Sequence, residues 1–191
     1  MRNVVFVAPY FVETTMRFVA AAARLPGVRF GLVAHEPEDK LPAELRAHVA
    51  AYVRVADSLD PRVLAGAVES LSQRLGKLDR LIGTLEELQV PLAEVRAHFG
   101  IAGLPVKAAH NFRDKSRMKD VLREAGVPCA RHRLCGDAAA CRSFAREVGF
   151  PLVVKPPAGA GARNTFRVDG AAQLDEWLAV SPPGPGPAAL L

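Results

Sequence analysis

The chain has 191 residues, of which 50% are hydrophobic and 24% charged, and this is an ordinary composition for one large globular domain or two small ones. No apolar run approaches the roughly 20 residues that cross a bilayer, so we expect no membrane segment. The three cysteines, Cys129, Cys135 and Cys141, lack a zinc-type spacing with histidine. We interpret them as buried thiols of a cytoplasmic protein.

The net charge of +5 is unevenly distributed along the chain. Residues 1–105 contain twelve Lys or Arg and twelve Asp or Glu, whereas residues 106–191 contain thirteen and eight. An excess that is confined to one segment favours a local anionic ligand over a uniformly basic surface for nucleic acid or membrane. Nucleic acid is disfavoured further because Phe112 is the one aromatic residue beside the basic cluster.

The first 105 residues alternate between apolar strands and helices. Strands are predicted at 4–8, 28–34, 52–55 and 81–82, and helices at 14–24, 43–50, 61–75 and 91–99. Strands without polar alternation are buried on both faces, so this alternation predicts an α/β fold with a parallel, Rossmann-like sheet. The turn Pro9-Tyr10-Phe11 after the first strand has no glycine and therefore cannot form a dinucleotide-binding loop.

Two pairs of ionisable residues follow strands of this predicted sheet. His35-Glu36 and Glu86-Glu87 lie where ligands bind in doubly wound sheets, beyond the carboxyl ends of the strands. Solvated loop residues are the alternative interpretation of both pairs, and we prefer it.

A change of composition at Gly103-Leu104-Pro105 predicts a domain boundary. The helix that follows has Asp114 as its predicted N-cap and Gly126 after its end. Four cations lie at its start: Arg113, Lys115, Arg117 and Lys119. The helix dipole disfavours a cation there by ~0.3–1 kcal/mol, whereas an anion docked on this turn would reverse the sign. A solvated basic face is the alternative.

The segment that follows predicts a strand at 131–135, a helix from Asp137 to Val148 and a buried strand at Leu152–Val154. The last strand runs directly into Lys155, two prolines and a small-residue loop, which we define as residues 156–162. A buried ammonium needs a counter-ion, and no acid lies within the next ten residues, so one interpretation is that a bound anion supplies the charge. In the other, Lys155 extends to solvent from an edge strand and the glycines turn the chain back into residues 165–168.

The loop is neither a Walker A motif nor a complete G-x-G-x-x-G, because Lys155 precedes the glycines and Asn164 replaces the last one. The order "DKSRMKDVLREAGVPCARHRL", helix, "GFPLVVKPPAGAGARNTFRV", helix resembles the ATP-grasp superfamily over residues 106–178. The resemblance implies that Lys115 and Lys155 bind ATP phosphates. It also implies that the loop closes on them, a role that falls to Ala158, Gly159, Ala160, Gly161 and Ala162.

The resemblance implies three segments. Residues 1–105 would be a Rossmann-like pre-ATP-grasp domain, residues 106–180 an incomplete first ATP-grasp subdomain, and residues 181–191 a Pro/Gly-rich tail that is disordered or extended. In the superfamily, the second half of the grasp carries the magnesium ligands and the adenine hinge, which this chain lacks. We therefore assign no catalytic or metal-binding residue, although ATP and Mg²⁺ remain the expected cofactors.

The implied function is the amino-terminal part of a ligase that activates a carboxylate as an acyl phosphate with Mg-ATP and passes it to an amine. Its partners would be ATP and small-molecule carboxylate and amine substrates, and a homodimer is left open. We expect the isolated chain to be inactive. The alternative is a non-catalytic nucleotide-binding or protein-interaction module that keeps the fold.

Overall fold

A computed structural model describes residues 1–159, 161–184 and 188–191 of the chain. The chain divides into two compact units, Met1–Ala109 and His110–Leu191. The predicted boundary at 103–105 lies before this division, because a helix that sequence analysis did not predict, α5 (Val106–Arg113), runs across it.

The first unit contains a four-stranded parallel sheet in the order β3-β2-β1-β4. Its strands are β1 (Arg2–Val7), β2 (Val28–Ala34), β3 (Val49–Arg54) and β4 (Arg80–Gly83), and its helices before α5 are α1 (Glu13–Ala23), α2 (Ala43–Arg46), α3 (Pro61–Leu75) and α4 (Gln89–Phe99). The predicted α/β class and parallel sheet are confirmed. The predicted helix at 43–50 is too long, because residues from Val49 onward pair with β2 instead.

Helices cover both faces of this sheet. Val5 and Val7 pack into a buried cluster with α3 and α4, whereas Phe6 and Ala8 pack into a second cluster with α1 and α2. Successive side chains of a strand point to opposite faces, so a strand that is covered on both sides needs apolar residues at every position. This explains the unbroken apolar run at residues 4–8, which covers the buried part of β1.

The second unit is built on short antiparallel pairs. Its elements are α6 (Lys115–Glu124), β5 (Leu134–Cys135), α7 (Ala138–Val148), β6 (Leu152–Val154), β7 (Phe166–Val168), α8 (Ala171–Val180) and β8 (Ala189–Leu190). β6 pairs with β7, and β5 pairs with β8. Helices α7 and α8 bury one apolar face against these strands through Phe144, Leu174 and Leu178.

The sequence predicts a disordered or extended tail at 181–191, and the last residues of this tail are extended and ordered. Ala189 and Leu190 form β8, and the side chain of Leu190 is fully buried. The Leu191 backbone exchanges two hydrogen bonds with Arg133, at 3.1 and 3.0 Å. The run Ala-Ala-Leu-Leu is apolar and has the N–H groups that the preceding prolines lack, so it can join a sheet. Residues 185–187 of this prediction lie outside the described residues.

Within the described ranges, no helix combines the length and the apolar character needed to cross a membrane.

Candidate functional site

The amino end of α6 is held by a side-chain cap, as predicted. Asp114 Oδ1 accepts hydrogen bonds from the backbone N–H groups of Ser116 at 2.8 Å and Arg117 at 3.1 Å. Lys115 and Lys119 are four residues apart and therefore share one face of the helix. The cap fixes the first turn, and with it the direction in which these two ammonium groups leave the helix.

The same turn contacts the small-residue loop directly. The Lys115 backbone N–H donates to Pro157 O at 2.9 Å. The Lys115 Nζ donates to Gly159 O at 2.9 Å, and Arg113 donates to the same oxygen at 3.2 Å. Two residues that lie 44 positions apart in the chain, Lys115 and Gly159, are thus in contact, and the structure brings together this part of the predicted site.

Lys155 directly follows β6 and lies near the ammonium groups of Lys115 and Lys119. Burial lowers the pKa of its ammonium, and the nearby charges of Lys119 and Lys115 lower that pKa further. Among the described residues, no carboxylate pairs with Lys155 and no hydrogen bond forms at its Nζ. A partly buried cation among other cations is an electrostatic environment that favours a bound anion.

The loop after Lys155 joins β6 to β7, so the hairpin in the alternative interpretation is present. Its backbone is unusual, because Gly161, Ala162 and Asn164 all have positive φ, at 63°, 56° and 56°. Glycine and asparagine tolerate this left-handed region, whereas alanine pays a steric cost there. Ala158 and Ala162 are exposed, and Ala160 lies outside the described residues.

A cavity of about 360 Å³ opens beside Lys155. Its lining includes Asn164 and Phe166 from the loop side and Trp177 and Ser181 from α8 and its end. Trp177 Nε1 is buried and has no hydrogen-bond partner among the described residues. The sequence places Trp177 in a helix but gives no sign that it borders the candidate site. It is the only tryptophan of the chain, so it is a natural spectroscopic probe of this cavity.

Other titratable groups of the described residues do not form a metal site. The described part of the chain has no cluster of three or more His, Cys, Asp or Glu that could hold a metal ion. The three cysteines are free, and burial raises the pKa of Cys141 to about 12, so that thiol stays protonated. His35 accepts a 2.8 Å hydrogen bond at Nε2 from the Ser58 N–H, and Glu36 pairs with Lys40 at 2.5 Å. His35 and Glu36 are therefore half-buried and have partners within the first unit, in place of the solvated loop residues that we expected.

Residues 114–182 match the family described as "Carbamoyl-phosphate synthase L chain, ATP binding domain". The match begins at the Asp114 cap and includes both candidate lysines and the loop. An L-arginine-specific L-amino acid ligase of Bacillus subtilis is 28% identical over 124 residues, which cover 65% of this chain and 30% of that protein.

Two solved structures show how far the fold agrees. An L-amino acid ligase from Bacillus licheniformis superposes with a TM-score of 0.75 at 18% identity, covering 100% of this chain and 43% of that one. The biotin carboxylase domain of a Hydrogenobacter thermophilus 2-oxoglutarate carboxylase, in complex with MgADP, ADP and bicarbonate, has a TM-score of 0.73 at 22% identity and coverages of 99% and 43%. The chain spans less than half the length of these proteins.

Proposed function

The chain belongs to the ATP-grasp superfamily and corresponds to its amino-terminal portion, and from that premise we propose that it is part of an ATP-dependent ligase in which it binds the phosphates of ATP. The ligase would activate a carboxylate as an acyl phosphate and transfer the acyl group to an amine. The acid and the amine would be small molecules.

The unpaired ammonium of Lys155 is the observation that carries this proposal. It lies in a unit where Lys115 and Lys119 lower its pKa and where, among the described residues, no carboxylate pairs with it. A polyphosphate would supply the missing negative charge to all three cations at once. The neighbouring cavity of about 360 Å³ is within the usual size range of small-molecule sites.

Each part of the site has a distinct role in this proposal. Lys115 and Lys155 bind phosphate oxygens as charged hydrogen-bond donors, which are stronger than neutral ones. The backbone N–H groups of Ala158, Gly159, Gly161 and Ala162 would add further donors to the same charge. These groups position the phosphates and stabilise their charge, while the transfer itself needs groups beyond them.

Magnesium fits this chain less well than ATP does. Oxygen ligands from carboxylates hold this cation in proteins, and the described residues contain no suitable cluster. When bound, Mg²⁺ would neutralise phosphate charge. We assign no ligand of the ion to this chain and place those ligands in the sequence that the solved relatives have beyond the matched part.

The free thiols support a reducing compartment such as the cytoplasm.

Titration of the full chain with ATP, followed by Trp177 fluorescence, tests the proposal. Adenosine, which lacks phosphates, is the matched ligand control. We expect a saturable change with millimolar ATP and a much weaker one with adenosine. An equal response to both ligands, or no response to ATP at all, would contradict phosphate recognition.

A further inference from the structure

The strand β8 contacts the candidate site through the backbone of Lys155. The Lys155 N–H donates to Leu190 O at 3.0 Å, and the Leu190 N–H donates to Lys155 O at 2.8 Å. The two residues therefore form a hydrogen-bonded antiparallel pair that lies outside the β6–β7 ladder.

This pair supplies the backbone hydrogen bonds of Lys155 beyond the end of β6. The ladder between β6 and β7 ends at the pair Val154 and Phe166. Pro156 and Pro157 follow Lys155 and carry no N–H group, so the chain cannot continue the ladder beyond it. Without β8, Lys155 would occupy the last, unpaired position of a three-residue strand, where strand ends fray.

The other edge of β8 is anchored elsewhere. Leu191 bonds to Arg133 in both directions, and Ala189 lies opposite Cys135 in β5. The side chains of Ala189 and Leu191 belong to the buried cluster of α7 and α8, and Leu190 is itself fully buried. The packing of Leu190 and its neighbours thus holds β8 in place. Two hydrogen bonds from Leu190 then restrict the backbone of Lys155.

We propose that Leu190 is a positioning residue, whose backbone fixes Lys155 so that its ammonium faces the phosphate ligand. The proposal rests on the proposed function. Directly opposed residues of an antiparallel pair have Cβ atoms about 4.5–5.5 Å apart and share one face, so the Leu190 side chain also lies beside the stem of Lys155. If the Lys155 backbone is already fixed in the free protein, less conformational entropy is lost when the side chain binds an anion.

The test compares two proline variants of the full chain. Leu190→Pro removes the N–H that bonds to Lys155, whereas Leu191→Pro removes the N–H that bonds to Arg133. Both damage the same strand. We expect Leu190→Pro to weaken ATP binding by roughly five- to tenfold, the equivalent of losing a hydrogen bond, and Leu191→Pro to retain the affinity of the natural chain. Equal affinities in all three proteins, or equal losses in both variants, would overturn the positioning role.

Amide hydrogen exchange of the natural chain gives a second test that needs neither a variant nor ATP. We expect the Lys155 amide to exchange as slowly as the Leu191 amide, because both bond across β8. Fast exchange at Lys155 would overturn the inference, even if Leu190→Pro fails to fold. If the Lys155 amide is protected but the natural chain does not bind ATP, the proposed function fails, and the positioning role for a phosphate fails with it.

Discussion

Lys115 donates from Nζ to the carbonyl oxygen of Gly159 at 2.9 Å. A lysine that is expected to bind phosphate therefore contacts the loop that is expected to close on it. Arg113 donates to the same oxygen at 3.2 Å. A phosphate oxygen is charged and is a stronger acceptor than a carbonyl. A bound phosphate oxygen would therefore compete with Gly159 O for the Lys115 ammonium.

Replacing Lys115 with Met should loosen the loop and weaken ATP binding together. The variant loses the 2.9 Å bond to Gly159 but keeps the backbone bond from its own N–H to Pro157. We expect faster amide exchange in residues 158–163 and a smaller ATP-induced rise in melting temperature. Arg117→Met is the control, because Arg117 is an exposed cation two residues further along the same helix. Loss of ATP response with unchanged loop exchange would contradict the coupling.

Ala162 offers a test of strain in the loop. Its φ of 56° costs an alanine about 1–2 kcal/mol, and glycine removes that cost while losing about 0.5–1 kcal/mol of chain entropy. Ala162→Gly should therefore leave the free energy of unfolding unchanged or raise it by up to about 1.5 kcal/mol. Ala158→Gly, at a position without positive φ, should lower it. Urea denaturation measures both, and equal losses in the two variants would show that Ala162 is unstrained.

His132 is predicted to make the stability of the second unit depend on pH. Burial lowers its pKa, although Asp120 acts in the opposite direction. Its Nδ1 lies 3.1 Å from an Arg123 nitrogen that can only donate, so this ring nitrogen is the acceptor and must be unprotonated. The folded state thus prefers the neutral ring. Its contribution to stability is complete above the unfolded pKa of about 6.5 and is lost as the pH falls through the lower folded value.

We expect the natural chain to lose stability more steeply than His132→Gln does as the pH falls from the unfolded pKa of about 6.5 through the lower folded pKa. The measurement is the melting temperature of both proteins across this interval. Parallel curves would show that His132 does not account for the dependence.

Elements with a strong local signal could be predicted from the sequence. Asp114, Asp60 and Asp137 precede helices that they cap, and Gly100 follows α4 in the left-handed conformation. The apolar runs at residues 4–8 and 30–34 indicated a sheet that is covered on both faces. Lys115 and the loop were recognised as parts of one site because their order in the chain resembles that of the superfamily.

Features that depend on distant partners could not be predicted. The tail has a proline-rich composition that is typical of disorder, and Leu190 is ordered only because Lys155 and its neighbours in β8 provide partners. Likewise, Val49 and Ala50 suit a helix locally but belong to β3, which pairs with β2. The position of Trp177 beside Lys155 depends on how α8 packs, and helical periodicity alone does not reveal it.

The isolated chain should not catalyse a ligase reaction. The described residues contain no acidic cluster for magnesium, and the chain spans less than half of its solved relatives. We expect no ADP formation above background when ATP, Mg²⁺ and a panel of amino acids are supplied to the purified protein. Turnover that depends on a carboxylic acid and persists on repurification would contradict this expectation.

The most direct measurement is a calorimetric titration of ATP into the natural chain, Lys155→Met and Lys77→Met. Met keeps the length of the side chain and removes the charge, and Lys77 is an exposed lysine of the first unit that serves as the control. A lost charged hydrogen bond is worth about 1.5–3 kcal/mol, so Lys155→Met should weaken binding by roughly tenfold or more while Lys77→Met binds normally. Since burial lowers the pKa of Lys155, the ligand-free variant should melt at the same temperature as the natural chain or above it. Unchanged ATP affinity, together with a lower melting temperature, would contradict the account, because Lys155 would then have a structural partner in place of a phosphate.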